Sequence, residues 1–167
     1  MCVIEEKSEG KIKVFDLIKN MLDSNDTDKD KNIFLYALSD FSDLSNTYPH
    51  IDLAVIGDCN IDADIKCPEN IKSILLNIDN SDHIKLNKNI QVITCGLKEK
   101  DTAIFSSINL DEGNVILDLQ RSIKNINGET IEPFEKQIDI PDFASNLKIK
   151  TEDMILAFTT LTFCSMI

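Results

Sequence analysis

Four short apolar runs, at residues 33–38 (IFLYAL), 53–56 (LAVI), 73–78 (SILLNI) and 90–94 (IQVIT), follow one another at intervals too long for hairpins. Unbroken apolar runs of this length are the mark of strands buried on both faces, and parallel neighbours need crossover connections of about a dozen residues. The polar stretch 39–50 has the length of a helix plus a loop, and residues 81–87 read as a short helix capped by Asn80 or Ser81. The spacing therefore predicts βαβ units and an α/β fold.

Ahead of these runs, Val14, Leu17, Ile18, Met21 and Leu22 fall on one face of a helix that residues 24–32 (SNDTDKDKN) end. Beyond Gly96 the pattern changes. Val115, Leu117 and Leu119 alternate with polar neighbours, which predicts an antiparallel strand with one wet face and places Arg121 at an inward position on it. Asn127-Gly128 is a two-residue hairpin signal, and residues 130–140 are the expected return strand, with Pro133 marking it as an edge. Residues 151–167 read as a helix with Thr151 as N-cap and Glu152 and Asp153 favouring the positive end of its dipole. This helix carries no charge after Asp153, so the sheet, another element or a second subunit must cover it. No internal repeat is visible.

A chain of 167 residues fits one domain, 1–167, and folding at this size buries roughly 70% of the unfolded surface. The formal net charge of −12, without a clustered Lys/Arg stripe, argues against nucleic acid and anionic membranes as partners. No apolar run is long enough to span a bilayer and the first residues lack signal-peptide character, so a cytoplasmic location is expected. Cys2, Cys59, Cys67, Cys95 and Cys164 are odd in number and irregularly spaced, which predicts packed free thiols rather than a disulfide framework or a zinc site.

Residues 74–82 (ILLNIDNSD) and 91–108 (QVITCGLKEKDTAIFSSI) together carry a family resemblance. A strand ending in Asn77-Ile78-Asp79, a Thr94-Cys95-Gly96-Leu97 turn, an antiparallel meander and an apolar helix occur in that order. The series resembles the later part of the central, ATP-binding domain of Mur ligases, the amide-forming ligases of peptidoglycan synthesis. The resemblance covers about residues 50–167, leaving 1–50 as a divergent or shortened first half. It implies a mostly parallel sheet flanked by helices with an antiparallel hairpin extension. It does not carry over the nucleotide site. No GxxGKT phosphate loop occurs in the chain, residues 150–156 (KTEDMIL) lack the His and Asn that hold adenine in the family, and residues 57–64 (GDCNIDAD) keep Asn60 and Ile61 but no metal-organising histidine. Phosphoryl transfer depends on positioning and charge neutralisation, so the expected role is a non-catalytic binding or regulatory module acting through self-association, such as a homodimer, or another protein partner. The alternatives are an ATP/Mg-dependent ligase-like subunit completed by another chain, or a divalent-metal-binding domain.

The metal alternative rests on Asp58, Asn60, Asp62, Asp64 and Glu69, at the first, third, fifth, seventh and twelfth positions of a calcium-loop template. Ala63 replaces the template's glycine and Pro68 lies within the loop. Ser106 and Ser107 lack a nucleophile-elbow setting, and His50 and His83 have no nucleophile at a telling spacing. No catalytic residue is assigned.

Overall fold

A computed structural model describes residues 1–4, 14–24, 34–38, 48–57, 65–77, 84–141 and 149–167. An eight-stranded sheet runs through them. Its strands are β1 (Cys2–Ile4), β2 (Tyr36–Leu38), β3 (Ile51–Ile56), β5 (Ile71–Asn77), β7 (Gln91–Gly96), β8 (Ala103–Asn109), β9 (Asn114–Leu119) and β12 (Phe134–Asp139). They lie in the order β12-β9-β8-β7-β5-β3-β1-β2. Every pair from β2 to β8 is parallel, while β8-β9 and β9-β12 are antiparallel. The α/β class and the mostly parallel sheet expected from the apolar runs are therefore present. The chain builds outward from β1 to β2, then crosses to β3 on the other side of β1, so the topological switch lies between β1 and β3.

Two-sided burial explains why the central strands read as continuous apolar runs. On one face Val3, Leu53, Val55, Leu75, Ile93 and Cys95 pack with α1 (Val14–Ser24) and α2 (Thr151–Phe163). On the other, Ile4, Ala54, Ile56, Ile74 and Leu76 meet Cys67 and Ile84. Residues 154–163 of α2 are all buried, with Phe158 set edge-on to Phe105 at 6.0 Å between ring centroids. The apolar surface that called for a sheet, another element or a second subunit is covered within the chain, by α1, β5, β7 and β8.

Several local expectations are corrected. Residues 84–85, expected in a helix, form β6 (Ile84–Lys85), which pairs in parallel with β4 (Ile65–Lys66) as Ile65↔Ile84 and Lys66↔Lys85. The Cys67 N–H donates to the Lys85 carbonyl at 2.9 Å, spending a bond that a helix would need, and the Asn87 side-chain Nδ2 donates to the Cys67 carbonyl at 2.7 Å. A repeat emerges here that was not visible beforehand. Strands β3, β5 and β7 start at residues 51, 71 and 91, and the Ile-Lys pairs of the two intervening crossovers stack on each other. β1, a three-residue strand not anticipated, lies fully buried between β2 and β3.

The Asn127-Gly128 signal located a real hairpin, but a wider one. β10 (Ile123–Lys124) pairs with β11 (Thr130–Ile131) around a turn in which Gly128 N–H donates to the Asn125 carbonyl, and only Gly128, at φ +81°, is left-handed. The expected single return strand is split near Pro133. β11 stays with β10, and β12 pairs with β9 as the outermost strand, as an edge position requires. Arg121 lies in the exposed link between β9 and β10 rather than inside a strand. Lys150, not Thr151, occupies the N-cap of α2 and makes no side-chain capping bond.

Inside α2, Thr160 and Thr162 return their hydroxyls to the carbonyls of Leu156 and Phe158, but the fully buried Thr159 Oγ1 has no partner among the described residues. A buried orphan hydroxyl forfeits its hydration without compensation. Thr159→Val removes the orphan while keeping the branched shape, and is expected to raise unfolding stability by about 1 kcal/mol in urea titration; a loss of stability would show that the hydroxyl is satisfied.

Candidate functional site

Parallel sheets of this kind bind ligands outside the carboxyl ends of their strands, at the switch point. Here Gly57, leaving β3, donates its N–H to the Ile4 carbonyl at 2.8 Å, so β1 and β3 end side by side. Further along that edge, β7 ends at Gly96 and the chain turns back over residues 97–102 into β8. The turn is closed by Asp101. Its carboxyl group is fully buried, Oδ2 accepts the Lys98 N–H at 3.1 Å, and Oδ1 has no partner among the described residues. A Cβ at position 96 would sit 2.6 Å from Asp101 Oδ2, which is why the turn requires glycine. Thr102 N–H donates to the Thr94 carbonyl at 2.9 Å. The Gln120 amide, oriented to satisfy its neighbours, donates to the Glu99 carbonyl at 2.7 Å and binds the turn to β9. Burial pushes the nearby Cys95 thiol well above its ordinary pKa, with Asp101 adding to the shift.

Of the proposed metal ligands, Asp58, Asn60, Asp62 and Asp64 lie outside the described residues. Glu69 is exposed in the turn that enters β5. That turn lies at the amino edge, because the next residue's carbonyl, Asn70 O, accepts the N–H of Ile51 at the start of β3. Gly57, which precedes Asp58, stands at the opposite end of that strand. His83 and Cys59 also lie outside the described residues, whereas Cys2, Cys67, Cys95 and Cys164 are buried free thiols, as their spacing predicted. Burial raises the Cys67 thiol to about 11. Ser106 is a strand residue whose hydroxyl donates to Glu135 Oε1 at 2.6 Å.

A concavity of about 280 Å³ lies at the amino edge of the sheet and carries no local signature in the sequence. Asp52 and Lys72 from β3 and β5, Asn89 before β7, Lys124 and Asn127 from the β10-β11 hairpin, and Phe163 at the end of α2 contribute to its walls. His50 Nε2 and Lys72 Nζ both reach Asp52 Oδ1, at 3.1 and 2.9 Å. Burial alone would push the Asp52 carboxyl up, but Lys72, by hydrogen bond and charge, and then His50 outweigh it and hold the group below its ordinary value.

Neither models of known protein families nor curated proteins show a match to this chain.

Two outcomes follow from these geometries. Gly96→Ala is expected to lower stability by about 1–3 kcal/mol, the usual cost of forcing volume into a packed site. In a double-mutant cycle with Asp101→Ala, much of that cost should disappear; strict additivity would show that the two groups do not collide. A carboxyl held low in the folded state stabilises above its unfolded pKa, and the contribution is lost as pH falls through the folded value. Lys72→Met is therefore expected to lower stability by less than about 1 kcal/mol at pH 7. The gap to wild type should close as pH drops below about 4, read from urea midpoints across pH.

Proposed function

We propose that the chain is a non-catalytic binding or regulatory module on a Mur-ligase-like α/β scaffold. The observation that carries this reading is the closed turn after β7. A phosphate held at a strand's carboxyl end needs backbone N–H donors and open space above glycine. At Gly96 the space is filled by the Asp101 carboxyl group, and the Lys98 N–H is already donated to it. Space and donor are both taken up inside the protein, so this part of the edge disfavours a nucleotide. The acidic balance of the whole chain, −12, acts in the same direction.

Calorimetric titration with ATP and magnesium is expected to give no saturable heat. Binding in the micromolar range would overturn the reading and favour a ligase-like subunit completed by another chain. A calcium-dependent rise in melting temperature, abolished by Asp58→Asn and Asp62→Asn, would instead assign the chain a divalent-metal role.

A further inference from the structure

The amino-edge groove is built with more care than a surface dimple requires. Gln91, the first residue of β7, grips the hairpin backbone with both ends of its amide: Oε1 accepts the Lys124 N–H at 2.7 Å, and Nε2 donates to the Lys124 carbonyl at 2.9 Å. The same Nε2 lies 3.2 Å from the hydroxyl of Ser73. Beyond it, the buried Asn125 uses its whole side chain. Oδ1 accepts the N–H groups of Asn127 and Glu129 at 3.0 and 2.9 Å, and Nδ2 donates to Glu129 Oε2 and Ser165 Oγ at 2.9 and 2.7 Å. Ile126 N–H then donates to the Phe163 carbonyl at 3.0 Å, tying the hairpin to the end of α2. The walls are therefore fixed before any ligand arrives, which spares the ordering cost of binding.

Within these satisfied walls, three groups that line the opening are unspent among the described residues. Among the described residues, the Lys124 ammonium and the Asn89 and Asn127 side-chain amides take part in no hydrogen bond or ion pair, although each borders the groove. Lys72 is committed to Asp52. The two lysines and one aspartate leave one net positive charge, which matches a single negative charge better than a doubly charged phosphate. The volume of about 280 Å³ limits the occupant to a small molecule. Ile126 and Phe163 offer an apolar surface to its body.

We propose that this groove binds a small monoanionic carboxylate, with Lys124 as its charge partner and the Asn89 and Asn127 amides as hydrogen-bonding neighbours. The proposal does not depend on the absence of nucleotide at the opposite edge. The test is an amide-resolved NMR titration of the full chain with sodium benzoate as probe, alongside benzamide, its uncharged analogue, and inorganic phosphate. Benzoate is expected to shift the resonances of Gln91, Lys124, Asn127 and Gly128 saturably. Removing a charge-assisted hydrogen bond should weaken binding at least about tenfold, so benzamide, and benzoate against Lys124→Met, should each show that loss. Lys124→Met leaves the backbone grip of Gln91 in place, and an unchanged spectrum outside the groove will confirm that the variant is folded. Absence of saturable shifts, equal binding of benzamide, or unchanged affinity in Lys124→Met would overturn the proposal. Phosphate binding as tightly as benzoate would overturn the carboxylate assignment. Shifts confined to residues 96–102 would place a ligand at the carboxyl edge instead and count against the groove.

Discussion

The burial of α2 is the constraint on which both halves of the fold depend. Its residues from Met154 to Phe163 sit under the sheet and against α1, so a segment from the far end of the chain closes a core that β1 and α1 begin. Apolar burial of about 25 cal/mol per Å² makes such a helix one of the main contributors to stability. Its other end has a separate task. With Ser165 at φ 56° and the N–H groups of Cys164, Ser165 and Met166 returned to carbonyls of the last turns, α2 stops sharply and offers the Phe163 carbonyl and the Ser165 hydroxyl to the β10-β11 hairpin. Core packing and groove geometry are therefore coupled through a single helix end.

Legibility in the sequence followed the physics of each element. β3, β5 and β7 were readable because burial on two faces forbids polar residues and leaves runs such as LAVI. β9 was readable for the opposite reason, since one wet face imposes alternation. β1 escaped because three residues, Cys2 to Ile4, are too few to show a period. β4 and β6 escaped for the same reason, and their partners are some 20 residues apart, as is the Asn87 amide from the Cys67 carbonyl that it reaches. The loop LKEKD reads as a solvated charge cluster. Only the space above Gly96 and the Lys98 N–H reveal that Asp101 faces inward. The groove had no chance of being seen in advance, because its walls come from residues scattered between 52 and 163, and none of them carries a local signature of binding.

The two lateral edges of the sheet are treated differently. β12 presents Glu135, Lys136, Gln137 and Asp139 with Pro133 just before it, the charged and proline-marked edge that discourages strand addition. At the other edge lies β2, with the Tyr36 ring tilted by 38° against that of Tyr48 at 4.7 Å between centroids.

The proposed division of labour inverts the usual habit of open α/β sheets, in which the carboxyl edge binds and the amino edge supports. That habit rests on backbone donors collecting where helices begin. In this chain the start of α2 carries Glu152 and Asp153, whose charges match its dipole, and the turn after β7 is filled by Asp101. At the amino edge the opposite holds: the backbone is tied down by Gln91 and Asn125, while a lysine and two amides remain unspent. Recognition requires unsatisfied donors held by satisfied neighbours, and among the described residues the amino-edge groove meets both conditions.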